Sequence, residues 1–210
     1  LPAQGWKVAF FARLGPDVYS ARLRDFLETN RITTDLVTMD PARQPGLYLI
    51  DIENGERSFT YWRDQSAARL LADDEYALER AMDSADIIYF SGITLAILTP
   101  EKRRVFLALV AKQRDKGKTT VFDPNARPKL WESLDFLRQK TMKAAAAAAI
   151  VLPSFDDEKT IFGDADIDAT ATRYLKAGAG LTVVKNGGGD MLVSDGTSQN
   201  RIDGHQRVEP

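Results

Sequence analysis

The chain contains no cysteine and a single histidine, His205. The lack of cysteine excludes disulfides, thiolate catalysis and cysteine-ligated metals, and it fits a reducing compartment. A single histidine also excludes a histidine-cluster zinc site. No apolar run approaches the roughly 18 residues that a membrane helix needs, and the first residues show no signal-peptide pattern. These absences predict a cytoplasmic protein with no membrane partner.

Neither positive nor negative charge is in large excess. The 28 basic and 30 acidic residues give a formal net charge of −2, and they are scattered along the chain. Such a chain has no electrostatic footprint for a polyanion, so we expect no nucleic-acid partner. The remaining composition, 44% hydrophobic and 28% charged over 210 residues, is ordinary for a globular α/β protein.

Strand-like runs alternate with amphipathic helical patterns along most of the chain. The candidate strands are 6–11, 87–90, 119–122, 150–152 and 181–184. The candidate helices start at Asp17, run from Thr99-Pro100 to Gly117, cover 134–142, and end near Gly178. Asp195-Gly196 predicts a hairpin after 191–193. This alternation is typical of an α/β fold with a mainly parallel central sheet flanked by helices.

One segment breaks the alternation and predicts a β-hairpin. Two strand-like runs, 47–52 and 57–63, flank Asn54-Gly55, a strong two-residue turn signal. The turn pairs Glu53 with Glu56 and, further along, Tyr48 with Tyr61. Period-two alternation then predicts one shared face, made of Tyr48, Ile50, Phe59, Tyr61 and Arg63.

That face has two interpretations. Tyrosine hydroxyls and a guanidinium suit a small hydroxylated acid, because arginine can hold a carboxylate with two parallel hydrogen bonds. Alternatively, tyrosine and phenylalanine are there as good strand formers and Arg63 is a solvated charge. The spacing alone leaves both open.

Two further segments follow strands and could reach a ligand. Lys185-Asn186 leads into Gly187-Gly188-Gly189, where backbone amides could approach a phosphate beside the lysine charge; a plain flexible loop is equally consistent. Asp123, Asn125 and Arg127 follow the strand at 119–122, where ligands collect in open α/β sheets, although an Asp-Pro turn explains them equally well. Gly117-Lys118-Thr119 follows a helix rather than a strand, so it is a helix stop and no P-loop.

Five segments together resemble a known family. They are Gly55 to Arg63, Ser91 to Leu98, Phe122 to Trp131, Pro153 to Glu158 and Val183 to Gly187. In order and spacing they are similar to the 2-keto-3-deoxygluconate kinases of the ribokinase (PfkB-type) superfamily, over essentially the whole chain. The Tyr-Trp-Arg and Asp-Pro-Asn-x-Arg-Pro-x-Leu-Trp segments are the most specific to this subgroup.

The resemblance implies a cytoplasmic kinase that transfers phosphate from ATP, with Mg²⁺, to the primary hydroxyl of 2-keto-3-deoxygluconate. It implies a lid at 46–63 on a ribokinase-like domain formed by 1–45 and 64–210, and a homo-oligomer formed through that lid. The implied substrate-binding residues are Tyr48, Tyr61, Trp62, Arg63 and Arg127. The implied nucleotide-binding residues are Asn125, Lys185, Asn186, Gly187, Gly188 and Gly189.

The chain also departs from the family pattern. The Gly-Asp-x-x-Asn segment and the Gly-Ala-Gly-Asp-like turn are missing, so we expect both ends of the family domain to be absent and the catalytic base to follow Pro210. The family's Asn-x-x-Glu is replaced by Ser154 to Asp157, which leaves Asp157 and Glu158 as weak metal candidates. The six alanines Ala144 to Ala149 favour helix but offer little side chain to bury. Alternatives are a fructokinase or ribokinase, or a non-catalytic relative that binds sugar acids.

Overall fold

A computed structural model describes residues 1–53 and 56–203. The chain forms two compact units, Leu1–Ala81 and Met82–Pro210. The division of the chain into a lid at 46–63 and a single remaining domain stays a prediction. No helix within the described ranges has the length and apolar character needed to cross a membrane.

The first unit contains short parallel strand pairs, one long hairpin and two helices. Its elements are β1 (Val8–Ala9), β2 (Ala12–Leu14), α1 (Val18–Thr29), β3 (Ile32–Thr33), β4 (Val37–Met39), β5 (Leu47–Glu53), β6 (Glu56–Trp62) and α2 (Glu75–Asp83), whose last two residues belong to the second unit. Strand β1 pairs in parallel with β3, and β2 with β4. The single strand predicted at 6–11 is therefore wrong in its bounds.

Helix α1 begins as predicted but is not buried as predicted. The Asp17 carboxylate caps it by accepting hydrogen bonds from the amides of Tyr19 at 2.9 Å and Ser20 at 3.1 Å. Of the apolar stripe that the periodicity assigns to the core, Leu27 is buried, whereas Tyr19 and Phe26 are each 62% exposed. No described element packs over those two rings, so periodicity located the helix but not its surroundings.

The hairpin has the predicted register. Strands β5 and β6 are antiparallel, with Glu53 opposite Glu56 and Tyr48 opposite Tyr61. The turn residues Asn54 and Gly55 lie outside the described residues. The rings of Tyr48 and Tyr61 have centroids 6.1 Å apart, and the Phe59 ring stacks on Tyr61 at the same distance. One aromatic face therefore runs along the ribbon.

The second unit is an α/β layer built on one sheet. Its elements are β7 (Ile87–Ser91), α3 (Gly92–Ile97), α4 (Pro100–Asp115), β8 (Thr119–Asp123), α5 (Leu134–Ala147), β9 (Ile150–Val151), α6 (Phe155–Phe162), α7 (Ile167–Lys176), β10 (Leu181–Val184), β11 (Met191–Ser194) and β12 (Gln199–Ile202). The strand order is β12-β11-β10-β9-β8-β7. Strands β7 to β10 are mutually parallel, and β11 and β12 add an antiparallel edge. The α/β prediction is confirmed, with a mixed sheet.

The core of this unit lies between the sheet and its helices. The Phe90 ring of β7 stacks on Phe122 of β8 at 5.0 Å and meets Phe106 of α4 edge-on at 5.4 Å. Val151 and Val184 of the next two parallel strands are fully buried. Burial of these apolar side chains fixes the order of the parallel strands and hence the position of their carboxyl ends.

The alanine run is part of this core, which corrects the expectation that it has little to bury. Helix α5 continues through Ala147, and Ala144, Ala145 and Ala148 are completely buried. Methyl side chains let neighbouring backbone come close: a Cβ placed on Gly178 would lie 3.6 Å from the Ala146 Cα. The small side chains thus permit close packing of the loop before β10 on α5.

Candidate functional site

The carboxyl ends of the four parallel strands gather the polar residues of the second unit. Asp123 ends β8, and Ser154, which follows β9, forms a parallel bridge with Lys185, which follows β10. The Lys185 amide donates to the Pro153 carbonyl at 2.8 Å, and the Lys185 carbonyl accepts from the Phe155 amide at 2.8 Å. Lys185 is therefore held on both sides by the start of α6.

Asp123 is the centre of this edge. The Lys185 Nζ lies 3.3 Å from both carboxylate oxygens, and the Tyr89 hydroxyl donates to Oδ2 at 3.2 Å. Burial, followed by the negative charge of Asp123, raises the pKa of Tyr89 to about 12. Tyr89 thus stays a neutral donor, and the Lys185 side chain is oriented by its ion pair with Asp123.

Asn125 and Arg127 lie on the loop that leaves Asp123. The Asn125 amide donates to the Asp123 Oδ1 at 3.2 Å, and Asn125 has a φ of +33°, which asparagine tolerates better than most residues. The exposed Arg127 guanidinium donates to the Ala126 carbonyl at 2.7 Å. Its Nη1 also lies 3.7 Å from the Asp157 Oδ2. Burial raises the pKa of Asp157, and the Arg127 charge opposes that rise.

Gly92 presses directly on this loop. A Cβ at Gly92 would lie 1.9 Å from the Pro124 carbonyl oxygen, a backbone atom that cannot rotate away. Gly92 also opens α3, whose cap is the Ser91 hydroxyl, which accepts from the Thr94 amide at 3.4 Å. The end of β7 and the Asp123 loop can meet here because glycine has no side chain.

We expect Gly92→Ala to lower the free energy of unfolding by about 1–3 kcal/mol, as overpacking against a fixed atom does. Urea denaturation followed by circular dichroism measures this loss. Gly180→Ala is a graded control, because its Cβ would lie at 3.1 Å from the Ala149 oxygen and meet a milder clash. Equal losses for the two variants would contradict the close approach at Pro124.

The glycine loop after Lys185 forms a tight exposed turn. The Gly189 amide donates to the Asn186 carbonyl at 2.7 Å. Gly187 and Gly188 have φ values of +55° and +131°, which residues with a Cβ rarely adopt. The glycines thus shape the loop, and the Gly189 amide is already used in closing it.

Glu158 does not lie at this edge, and the expectation that it could reach a metal is wrong. Its side chain is 1% exposed, and its Oε2 accepts hydrogen bonds from the Arg173 Nη2 at 2.8 Å and the Tyr174 hydroxyl at 2.9 Å. This carboxylate ties α6 to α7 inside the core. The described residues contain no group of three or more histidine or carboxylate side chains that could hold a metal by themselves. Asp157, the other carboxylate predicted to reach a metal, is half-exposed beside Arg127, and its role as a metal ligand stays a prediction.

In the first unit, the hairpin brings together only part of the predicted substrate set. The Arg63 guanidinium lies over the Tyr61 ring, 4.1 Å from its centroid, and Tyr48 is beside that ring. Trp62 is next to Tyr61 in β6, so alternation places it on the opposite face, where it is 57% exposed. Convergence of Arg63 and Arg127 on one ligand stays a prediction.

Two residues of the site were missed by sequence reasoning. The Tyr89 hydrogen bond to Asp123 needs the register of β7 with β8, in which Tyr89 pairs with Val121. The Gly92 contact needs the loop conformation at Pro124. Only the glycine itself, directly after a strand, is a sequence signal for such a close approach.

The fold and the polar strand ends define an α/β protein with a candidate ligand site at the carboxyl edge of its parallel strands, and comparison with known proteins specifies the family. The model of the pfkB family carbohydrate kinases matches residues 1–210. The chain belongs to this family.

Two relatives from different subgroups of the family show how similar this chain is to each subgroup. A 2-dehydro-3-deoxygluconokinase from Haemophilus influenzae is 36% identical over 192 residues, covering 90% of this chain and 61% of the relative. A fructokinase from Vibrio alginolyticus is 27% identical over 157 residues, covering 74% of this chain and 49% of the relative. The chain thus spans about three fifths of the length of the 2-dehydro-3-deoxygluconokinases that it matches.

Solved structures agree on the fold. The crystal structure of a PfkB protein from Polaromonas sp. JS666 superimposes with a TM-score of 0.83 at 26% identity. The superposition covers 96% of this chain and 68% of that protein.

Proposed function

We propose that the complete protein uses ATP to phosphorylate 2-dehydro-3-deoxygluconate at its primary hydroxyl, in the cytoplasm. The observation that carries the proposal is the 36% identity to a 2-dehydro-3-deoxygluconokinase along nine tenths of the chain, against 27% for a fructokinase. The two arginines at Arg63 and Arg127 support it further, because a neutral sugar has no carboxylate for them to bind.

The residues of the hairpin supply the sugar side of the site in this proposal. Tyr48 and Tyr61 bind hydroxyl groups of the substrate, and Arg63 binds its carboxylate. Arg63 is preorganised for this role because its guanidinium is already stacked on the Tyr61 ring. Arg127 is available as a second carboxylate ligand, since its 3.7 Å contact with Asp157 is a long and half-exposed ion pair.

The second unit supplies the nucleotide side. In this proposal Lys185, which pairs with Asp123, neutralises phosphate charge, and Asn125 and the amides of Gly187 and Gly188 bind phosphate oxygens. Phosphoryl transfer depends mainly on such positioning and electrostatic stabilisation of the transferred group. Asp157 would hold Mg²⁺, directly or through water, and the ion would supply positive charge that offsets the charge of the phosphate groups.

A substrate panel tests the proposed function. With the complete protein and ATP, ADP release measured by a coupled assay should give a kcat/KM for 2-dehydro-3-deoxygluconate at least about a hundredfold above those for fructose and ribose, since two charged contacts are at stake. A preference for fructose would select the fructokinase alternative. Binding of the sugar acid without ADP release would select a non-catalytic binding protein.

We also propose that the hairpin joins two copies of the chain. Its face opposite the tyrosines carries three apolar side chains with more than half of their surface exposed, namely Leu47, Leu49 and Trp62. A contiguous exposed apolar patch of this kind is typical of an interaction surface.

Light scattering after size exclusion tests this pairing. The complete protein should elute as a dimer, and Leu49→Glu should shift it to a monomer by placing a charge in the interface. Leu134→Glu, at a leucine that is 41% exposed on α5, is the matched control and should leave the dimer intact. A monomeric wild type, or a dimeric Leu49→Glu variant, would contradict the proposal.

A further inference from the structure

A groove between α4 and α5 has the features of a second ligand site. Its volume is about 410 Å³, within the range of small-molecule pockets. Apart from Pro100 at the start of α4, the apolar part of its lining comes from five side chains, namely Leu107, Ala108 and Ala111 of α4 and Ala146 and Ala147 of α5. Four of these five side chains end at Cβ, so the floor stays open between the two helices.

Three cations surround the same groove. They are Arg104 of α4 and Lys140 and Lys143 of α5. In the part of the chain that the structure describes, none of the three has a carboxylate within salt-bridge distance. Burial, followed by the charges of Lys143 and Arg103, lowers the pKa of Lys140. Unneutralised positive charge is therefore concentrated on one concave surface.

The neighbouring carboxylate does not neutralise these three cations. Glu132, a carboxylate whose charge acts on Lys140, is already engaged by the Arg103 guanidinium at 3.3 Å. Arg103 itself is 2% exposed and donates to the Leu95 carbonyl at 2.7 Å and the Leu98 carbonyl at 3.0 Å. Glu132 is thus paired with Arg103. The positive charges of Arg104, Lys140 and Lys143 can therefore interact with a bound anion.

We infer that this groove binds a small phosphate monoester with a flat apolar body, its phosphate held by Arg104, Lys140 and Lys143 and its body on the alanine floor. A dianionic phosphate matches several converging cations better than a single carboxylate does. No residue that lines the groove belongs to the candidate functional site, so the groove is a separate site. A solvated basic helix surface would carry its lysines on one convex face, whereas these cations line one groove, Arg104 from α4 and the two lysines from α5.

Calorimetric titration of the complete protein with phenyl phosphate tests the inference, at low ionic strength and with a non-hydrolysable ATP analogue present to occupy the nucleotide side. One molecule should bind per chain. Replacing two cations in the variant Lys140→Gln/Lys143→Gln should weaken binding by at least about tenfold, since each charge-assisted hydrogen bond contributes that much. Lys159→Gln/Lys176→Gln, at two exposed lysines on α6 and α7, is the charge-matched control and should bind as the wild type does.

A second variant keeps the charge and removes the space. Ala108 is exposed, so Ala108→Phe should fold normally, block phenyl phosphate and leave weak binding of inorganic phosphate intact. Absence of phenyl phosphate binding to the wild type, or unchanged binding by both the double-lysine variant and Ala108→Phe, would overturn the inference. Inorganic phosphate binding as tightly as phenyl phosphate would overturn the role given to the alanine floor.

Discussion

Replacing Arg63 by alanine in the complete protein is expected to lower kcat/KM for 2-dehydro-3-deoxygluconate by about ten- to a hundredfold. The reason is the loss of a charge-assisted contact with the substrate carboxylate, which is worth about 1.5–3 kcal/mol. Arg63→Lys should not restore the full rate, because an ammonium group cannot form the two parallel hydrogen bonds of a guanidinium. Steady-state kinetics with the sugar acid and with a neutral sugar of similar length measure the effect.

The neutral sugar distinguishes carboxylate binding by Arg63 from a role in the structure of the hairpin alone. If Arg63 binds the carboxylate, its replacement should lower kcat/KM much less for the neutral sugar, which is already a poor substrate, than for the sugar acid. Arg80→Ala is a matched control, since Arg80 also lies over a tyrosine ring, 5.2 Å from the centroid of Tyr76. Equal losses for acid and neutral sugar would mean that Arg63 serves only the structure of the hairpin.

Arg173→Met is expected to lower the free energy of unfolding by about 3–5 kcal/mol, because it leaves a buried carboxylate without its cation. That carboxylate is Glu158, 1% exposed and 2.8 Å from the Arg173 guanidinium, which also pairs with the largely buried Asp164. The loss should appear in urea denaturation of this chain. Glu158→Gln in the Arg173→Met background should recover part of the stability, since the amide can still accept the Tyr174 hydroxyl.

The loss of unfolding free energy in the Arg173→Met variant should increase as the pH rises. Burial raises the pKa of Glu158, and the Arg173 charge opposes that rise. Without Arg173 the folded-state pKa lies further above the unfolded value, so the folded state favours the protonated acid. The deficit relative to wild type should therefore be smallest at or below the ordinary carboxyl pKa of about 4.3 and grow as the pH rises through the folded-state value. A deficit that is constant between about pH 4 and pH 8 would contradict this account.

Much of the second unit could be predicted from the sequence. The strands at 87–90, 119–122 and 181–184 are short apolar runs with polar ends, and Thr99-Pro100 and Gly117 bound a helix by cap chemistry that acts locally. The hairpin register followed from the Asn54-Gly55 signal and strict alternation. These features depend on interactions between near neighbours in sequence, which is why they could be read directly.

The failures depend on packing between distant segments. Tyr19 and Phe26 have helical spacing, but spacing alone does not say whether another element covers them. The alanines of α5 are buried because Gly178 and its loop approach them closely, which side-chain size alone does not reveal. Glu158 and Asp157 are adjacent in sequence, yet helix geometry turns one into the core and leaves the other beside Arg127.

The reaction that we propose for the complete protein is transfer of phosphate from ATP to the primary hydroxyl of a sugar acid. Two-dimensional ¹H–³¹P correlation NMR of the product mixture tests it most directly, using 2-dehydro-3-deoxygluconate, ATP and Mg²⁺. We expect a new phosphate monoester signal, coupled to the two protons of the terminal methylene group, that grows as ATP is consumed. A phosphate coupled to the single proton of a secondary carbon would contradict the proposal. Sugar acid that stays unchanged after prolonged incubation with folded, complete protein would also contradict it.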